Sequence, residues 1–269
     1  MRKSVPFDPA EASRSLIYRL EEITGKPIEE ILTGGYDGEL REKLSKVSLA
    51  ERELELPLPY LTGRAYFFDL ELYVGPGVFI PRPETEVLAL TVLDHFDKNE
   101  PRRILDIGTG TGALAIYLAR RFKKAEVTAV DLSPVALRYA EANARKYSLS
   151  NIRFVLSDVY GALHGCEKYD LIVSNPPYIP RNELKKADPA LSWEPRLALD
   201  GGPDGLSVIR RILRGLDCHL TPGGSLFLEI SPLIARPLEG LLIPERHELE
   251  FHRDLDGRIR VAHIRRRYP

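Results

Sequence analysis

Two stretches of this chain carry residue types that could do chemistry together. Asp170-Leu171-Ile172-Val173-Ser174-Asn175-Pro176-Pro177-Tyr178 reads as a buried strand running into Asn-Pro-Pro-Tyr. On a parallel strand that tetrapeptide stands at the carboxyl edge of the sheet, where open α/β folds bind ligands. Two prolines stiffen the backbone and remove two N–H donors. What remains is a pair of acceptors, the Asn175 side-chain oxygen and the Pro176 carbonyl, beside the aromatic face of Tyr178. Such a set suits a planar NH₂ group: two N–H bonds fix the nitrogen, the ring stacks on the amide or base, and the lone pair is aimed at an electrophile. An amide nitrogen is a poor nucleophile because its lone pair is delocalised. Alignment contributes on the order of 7–11 kcal/mol in well-oriented reactions, against about 0.5–1.5 kcal/mol for one neutral hydrogen bond. No strong base is needed, since the nitrogen becomes acidic as the new bond forms.

The second stretch is Ile104-Leu105-Asp106-Ile107-Gly108-Thr109-Gly110-Thr111-Gly112, a strand running into three glycines at alternate positions. Glycine is required where the backbone turns sharply and where a ligand lies against the main chain. A dinucleotide loop spaces its glycines G-x-G-x-x-G, whereas here the spacing is G-x-G-x-G, with Asp106 just before it. A carboxylate there would repel a pyrophosphate but suits a cofactor with an ammonium and a sulfonium. Asp131 ends the next strand, where an acid can accept both ribose hydroxyls. Asp158 ends the third, where it or the following Val159 N–H can meet an adenine edge. Three acids closing three successive strands point towards S-adenosylmethionine. Loss of the sulfonium charge on transfer makes a dry pocket favourable.

The elements that must position these groups alternate. Arg103–Ile107, Glu126–Val130, Ile152–Leu156, Asp170–Ser174 and Ser225–Ile230 are strand-like, and helical patterns over Gly112–Phe122, Pro134–Tyr147 and Leu206–His219 separate them. That alternation predicts βαβ units and a mostly parallel sheet with right-handed crossovers. The chain then changes to His247–Arg253, an Asp254-Leu255-Asp256-Gly257 turn and Arg258–Arg265, an antiparallel hairpin. A parallel sheet closed by such a hairpin is the layout of the Rossmann-like class I methyltransferases. The basic run Arg258–Arg267 reads as a solvated edge strand in preference to a phosphate-binding patch.

Residues 1–75 differ in character. Asp8-Pro9-Ala10-Glu11 and Ser48-Leu49-Ala50-Glu51 open short helices, and Leu16, Ile17, Leu20 and Ile23 recur at helical spacing. From Leu54 to Gly77, prolines and glycines punctuate a strand or hairpin over Phe67–Val74. The expected organisation is a small N-terminal helical domain, 1–75, ending in a hairpin linker, and a methyltransferase domain, 76–269.

Bulk properties limit the alternatives. The 269-residue chain has a net charge of -1, and residues 1–75 carry 10 Lys and Arg against 14 Asp and Glu. An acidic first part argues against a nucleic-acid reader, so methylation of adenine or cytosine in nucleic acid is the weaker alternative. Apolar runs are strand-sized and no leader pattern opens the chain, which favours a cytoplasmic protein with no membrane partner. Cys166 and Cys218 are too few for a disulfide scaffold, and the scattered histidines show no ligand spacing, so no metal is expected. Trp193 reads as a loop anchor.

The chain resembles the release-factor glutamine methyltransferases. The resemblance rests on Pro59-Tyr60-Leu61-Thr62-Gly63, Phe79-Ile80-Pro81-Arg82-Pro83-Glu84-Thr85-Glu86, Asp106–Gly112, Asp131, Asn175–Tyr178, Glu194–Gly202 with Asp204-Gly205-Leu206, and Arg253–Arg258. It implies methyl transfer from S-adenosylmethionine to the glutamine N5 of the Gly-Gly-Gln tip of peptide chain release factors. Asn175 and Pro176 would hold the amide, with Pro177 and Tyr178 shaping its slot. Gly108, Thr109, Gly110, Thr111, Gly112, Asp106, Asp131, Leu132, Asp158, Val159 and Asn175 would hold the cofactor. Phe79, Arg82 and Thr85 would close over it, and residues 1–75 would meet the body of the release factor. The expected partners are therefore release factors, with no direct nucleic acid and a monomeric enzyme. One departure is Ser231 and Ile234, where the family usually has Gly and Gln.

Overall fold

The computed structural model describes residues 57–96, 100–186 and 189–267. The helices expected within residues 1–56 lie outside these, so the domain division at residue 75 stays an expectation. The described chain opens with a helical turn, α1 (Leu58–Thr62), and an antiparallel hairpin, β1 (Arg64–Phe67) and β2 (Leu70–Tyr73). Helix α2 (Pro83–His95) starts inside the Phe79–Glu86 segment, with Pro83 at its first position. Then follow β3 (Arg103–Ile107), α3 (Ala113–Arg121), β4 (Glu126–Asp131), α4 (Pro134–Lys146), β5 (Ile152–Leu156) and β6 (Tyr169–Ser174). A short α5 (Arg181–Leu184) and two 3-10 turns lead to α6 (Ser207–His219), β7 (Leu220–Glu229), α7 (Pro232–Glu239), β8 (His247–Arg253) and β9 (Ile259–Arg266).

Strands β3 to β9 form a seven-stranded sheet in the order β5-β4-β3-β6-β7-β9-β8. All pairs are parallel except those of β9, which runs antiparallel to both β7 and β8. The order reverses at β3, which pairs β4 on one side and β6 on the other. This is the switch point at which open sheets form a ligand crevice.

Strands covered on both faces are apolar at successive positions, and β3 and β6 follow that rule. Ile104 faces one core with Leu88 and Val92 of α2, Leu114 and Leu118 of α3, and Phe67, Leu70 and Leu72 of the hairpin. Leu105 faces the other, with Ile209, Ile212 and Leu216 of α6 and Ile234 and Leu238 of α7. The first hairpin is thus built into the core of the sheet domain.

Two features differ from expectation or escaped it. Strand β9 is not an edge strand, because it inserts between β7 and β8 and leaves β8 outermost. Its arginines find carboxylates: Arg260 pairs with Asp254, Arg265 and Arg267 with Glu248, and Arg266 with Asp217. A disulfide joins Cys166 to Cys218, with Cα atoms 5.1 Å apart and a sequence separation of 52. In a reducing compartment these would stand as two neighbouring thiols. Among the described residues no helix is long and apolar enough to cross a membrane.

Candidate active site

The cavity at the switch point is built from strand ends. Gly108 and Thr109 donate their N–H groups to the Val130 carbonyl at 2.8 and 3.0 Å, which bends the chain off β3 and over the end of β4. On the other side the Ser174 hydroxyl donates to the Ile107 carbonyl at 2.6 Å and ties β6 to β3 one residue before Asn175. Asn143 of α4, fully buried, donates to the Thr111 carbonyl at 2.9 Å and to the Tyr73 carbonyl at 3.0 Å. The loop is thereby tied to the first hairpin.

The glycines divide by role. Gly108, Gly110 and Gly112 all have positive φ, a conformation costly for residues with a Cβ. A Cβ on Gly110 would meet nothing within 4 Å, so this residue faces open cavity. A Cβ on Gly112 would stand 3.0 Å from Ile116 and 3.1 Å from Ala140. Gly112 does not line the cavity; it lets α3 pack on α4.

Three acids lie where the strand ends predict. Asp106 is 1 % exposed, accepts the Thr109 hydroxyl at 2.6 Å, and has its pKa pushed up to about 7 by burial. Asp131 accepts the Gly110 N–H at 2.9 Å and the Ser133 N–H at 2.8 Å. Asp158 is paired with Arg211 of α6. Val159, a β-branched residue, is held at φ 54, the kind of backbone strain that gathers at ligand sites. These residues line the cavity with Phe79, Thr85, Gly108, Thr109, Gly110, Thr111, Leu132, Asn175 and Pro177.

Four expected site residues do not line it: Arg82, Gly112, Pro176 and Tyr178. Arg82 instead pairs with Glu194, a buried carboxylate that also accepts the Ile80 N–H at 3.0 Å. That junction clips the segment Phe79–Arg82 to the loop whose Pro195, Leu197 and Ala198 line the cavity. In the sequence, Glu194 stands out only as the first residue of the Glu194–Gly202 motif. Trp193 next to it packs on the cluster of Tyr60, Val78 and Tyr139, as an anchor.

Glu229, the last residue of β7, is the functional group sequence reasoning missed. It is 1 % exposed, and burial raises its pKa to about 7. The Thr85 hydroxyl donates to it at 2.6 Å and the Tyr178 hydroxyl at 3.1 Å. With its proton committed to Glu229, Thr85 Oγ1 is left as an acceptor, and the Asn175 Nδ2 donates to it at 3.0 Å. The direction of that chain assigns the Asn175 amide: its nitrogen faces Thr85, and its oxygen is the group left for a ligand. Burial and the Glu229 charge raise the Tyr178 pKa, so the phenol stays a donor and the ring is pinned. The Glu-Ile pair at this strand end was visible, but nothing local announces partners on α2 and after β6. Of the two departures nearby, Ile234 is buried in the core beneath Gly205, and Ser231 stands at the N-cap position of α7 with no hydrogen-bond partner for its hydroxyl among the described residues.

The sheet order and the strand-end cavity define a Rossmann-like methyltransferase. The methyltransferase small domain family model matches residues 69–191. Among solved structures, a methyltransferase from Pyrococcus furiosus superposes with TM-score 0.57 at 22% identity, over 76% of this chain and 91% of that one. The ribosomal protein L11 methylase of Lactobacillus delbrueckii subsp. bulgaricus does so with TM-score 0.53 at 23% identity, over 71% and 82%. The release factor glutamine methyltransferase of Deinococcus radiodurans is 40% identical over 237 residues, 88% of this chain and 84% of that protein. The protein of the same name from Thermosynechococcus vestitus is 38% identical over 255 residues, 91% and 88% of the two chains. The chain belongs to the release factor glutamine methyltransferases.

Proposed function

We propose that this chain methylates the side-chain amide nitrogen of a release-factor glutamine, with S-adenosylmethionine as methyl donor. The observation that carries the proposal is the relay Glu229–Thr85–Asn175, which presents the Asn175 oxygen as an acceptor beside the cavity. The cofactor fits the residues present. Asp106, Asp131 and Asp158 stand at successive strand ends, and the loop is open at Gly110, where no Cβ intrudes. When bound, S-adenosylmethionine supplies a methyl carbon made electrophilic by its sulfonium.

The protein's own residues then do three things. Asp106 and Asp131 offer carboxylate oxygens to the cationic and hydroxylated parts of the cofactor. Asn175 Oδ1 and the Pro176 carbonyl accept the two N–H bonds of the glutamine amide, and Tyr178, pinned by Glu229, limits the angle at which the side chain lies. The clip of Arg82 and Glu194 keeps the Pro195–Ala198 loop over the cavity and excludes water, which favours a transition state in which charge disperses. The finer target is the glutamine of the Gly-Gly-Gln tip, and residues 1–75 recognise the release-factor body.

The test is transfer of labelled methyl to a purified release factor, beside its Gln→Ala variant and a mixture of tRNA and DNA. Label on the wild-type factor alone supports the reading. Label on nucleic acid would overturn the substrate and leave the cofactor assignment standing.

A further inference from the structure

Away from the cavity, at the end of α2 opposite Thr85, three of the chain's six histidines come together. Strand register does this. Glu250 on β8 faces His263 on β9, and His252 lies two residues along from Glu250, on the same face. Across the other pairing of β9, Phe227 faces His263 and their rings stack at 4.0 Å. His95, in the last turn of α2, closes over the cluster with its ring 4.6 Å from that of His263.

We propose that Glu250, His252 and His263 form a binding site for a divalent transition-metal ion of the zinc class. One ligand atom from each lies within 4.8 Å of the other two. Two residues at i and i+2 on a strand plus one on the neighbouring strand converge on one point of a sheet face. Bonds of about 2.1 Å would set the ligands roughly 3.4 Å apart, so modest side-chain rotation is required, and Glu250 is exposed and free to turn.

Two further observations point to an ion. His252 Nε2 is buried without a hydrogen-bond partner among the described residues. A buried ring nitrogen left without a partner is destabilising, and a bound cation would satisfy it. His263 is 3 % exposed, and its Nε2 meets Ser225 Oγ at 3.0 Å, the outer partner that fixes ring orientation in histidine–metal sites. Arg265, the cation on this face, is engaged by Glu248 at 3.0 Å. Three protein ligands leave a fourth position for water, and the exposed Glu250 provides the way in.

The ion would clamp the outer hairpin of the sheet, where β8 has a neighbour on one side only. The experiment uses the full chain, freed of metal by chelation and carrying no polyhistidine tag, titrated with Co²⁺ and then Zn²⁺. The expected result is one Co²⁺ per chain with the intense visible absorption of four-coordinate cobalt, displaced by Zn²⁺. Zn²⁺ at 100-fold excess over its Kd should raise Tm by roughly 5–10 °C. His252→Phe should remove both signals while leaving the metal-free Tm and methyl transfer in place, since it deletes an unpartnered nitrogen. Glu250→Gln, on the surface, should weaken Co²⁺ binding by about tenfold or more. Six-coordinate cobalt spectra, or an equal Zn²⁺ effect on wild type and His252→Phe, would overturn the proposal.

Discussion

Thr85 donates its hydroxyl proton to Glu229 across 2.6 Å, although 144 residues separate the two in the chain. The bond joins the first turn of α2 to the end of β7, and through Asn175 Nδ2 it reaches the residue placed to hold the methyl acceptor. A hydroxyl with its proton committed in one direction can only accept in the other. The relay therefore sets which face of the Asn175 amide meets substrate.

Breaking that relay should slow transfer without expelling the cofactor. Thr85→Val is expected to lower the single-turnover rate about 10- to 100-fold, the value of one hydrogen bond to a charged group, while cofactor affinity shifts by no more than severalfold. Glu229→Gln keeps an acceptor for Thr85 and should lose less than Glu229→Leu. Rates equal to wild type in both Thr85→Val and Glu229→Leu would show that Asn175 is oriented without them.

Asn175→Ala removes the acceptor itself. Transfer should fall by more than about 1,000-fold, because alignment of a weak nucleophile is the main catalytic contribution. Calorimetry should find cofactor binding nearly intact. A large loss of cofactor affinity would instead place Asn175 chiefly in the cofactor site.

The pH response should trace Asp106. Its pKa stands raised from 3.8 to about 7 by burial, so the protonated acid is the form the fold prefers. Its contribution to stability is complete below about pH 4 and is withdrawn as pH rises towards 7. In cofactor-free protein, Asp106→Asn should reduce the pH dependence of Tm across that window and leave the part owed to Glu229, whose pKa burial also raises to about 7. A cationic ligand requires the ionised form, so cofactor affinity should tighten between pH 5 and 7, by up to about tenfold per unit. Asp106→Asn should bind weakly and without that slope; an unchanged slope would assign the titration to another group.

The two loop glycines should fail differently. Gly112→Ala drives a methyl against Ile116 and Ala140 in a left-handed conformation, and should cost about 1–3 kcal/mol of stability. Gly110→Ala meets no atom of the described residues within 4 Å and should lower Tm less, yet its methyl projects into the cavity and should weaken cofactor binding more. Thermal melts and cofactor titrations on the two variants separate these effects, and equal losses in both measurements would contradict the division.

Much of the fold was legible because strands and helices announce themselves over short windows. Leu105 and Ile107 alternate with Ile104, proline opens α4, and Asp256-Gly257 turns the final hairpin; each is a local steric or periodic signal. The placement of β9 inside the sheet was not legible, because the run Arg258–Arg267 has the composition of an edge strand and its carboxylate partners come from elsewhere. The partner of Arg82 was equally out of reach of the sequence: its guanidinium pairs with Glu194, 112 residues away.

From the chain alone came the class of chemistry: an acceptor-rich Asn-Pro-Pro-Tyr, glycines at alternate positions, and acids closing consecutive strands, all determined by residue type and near-neighbour spacing. Only the tertiary structure decided how those groups are aimed. It turned the Asn175 oxygen outward, gave Gly112 to packing and Gly110 to the cavity, and gathered Glu250, His252 and His263 on one face. Local sterics act over a few residues and leave a mark in sequence at that range. The direction of a buried hydrogen bond depends on which distant strand end arrives beside it, and that follows from the order and register of the whole sheet.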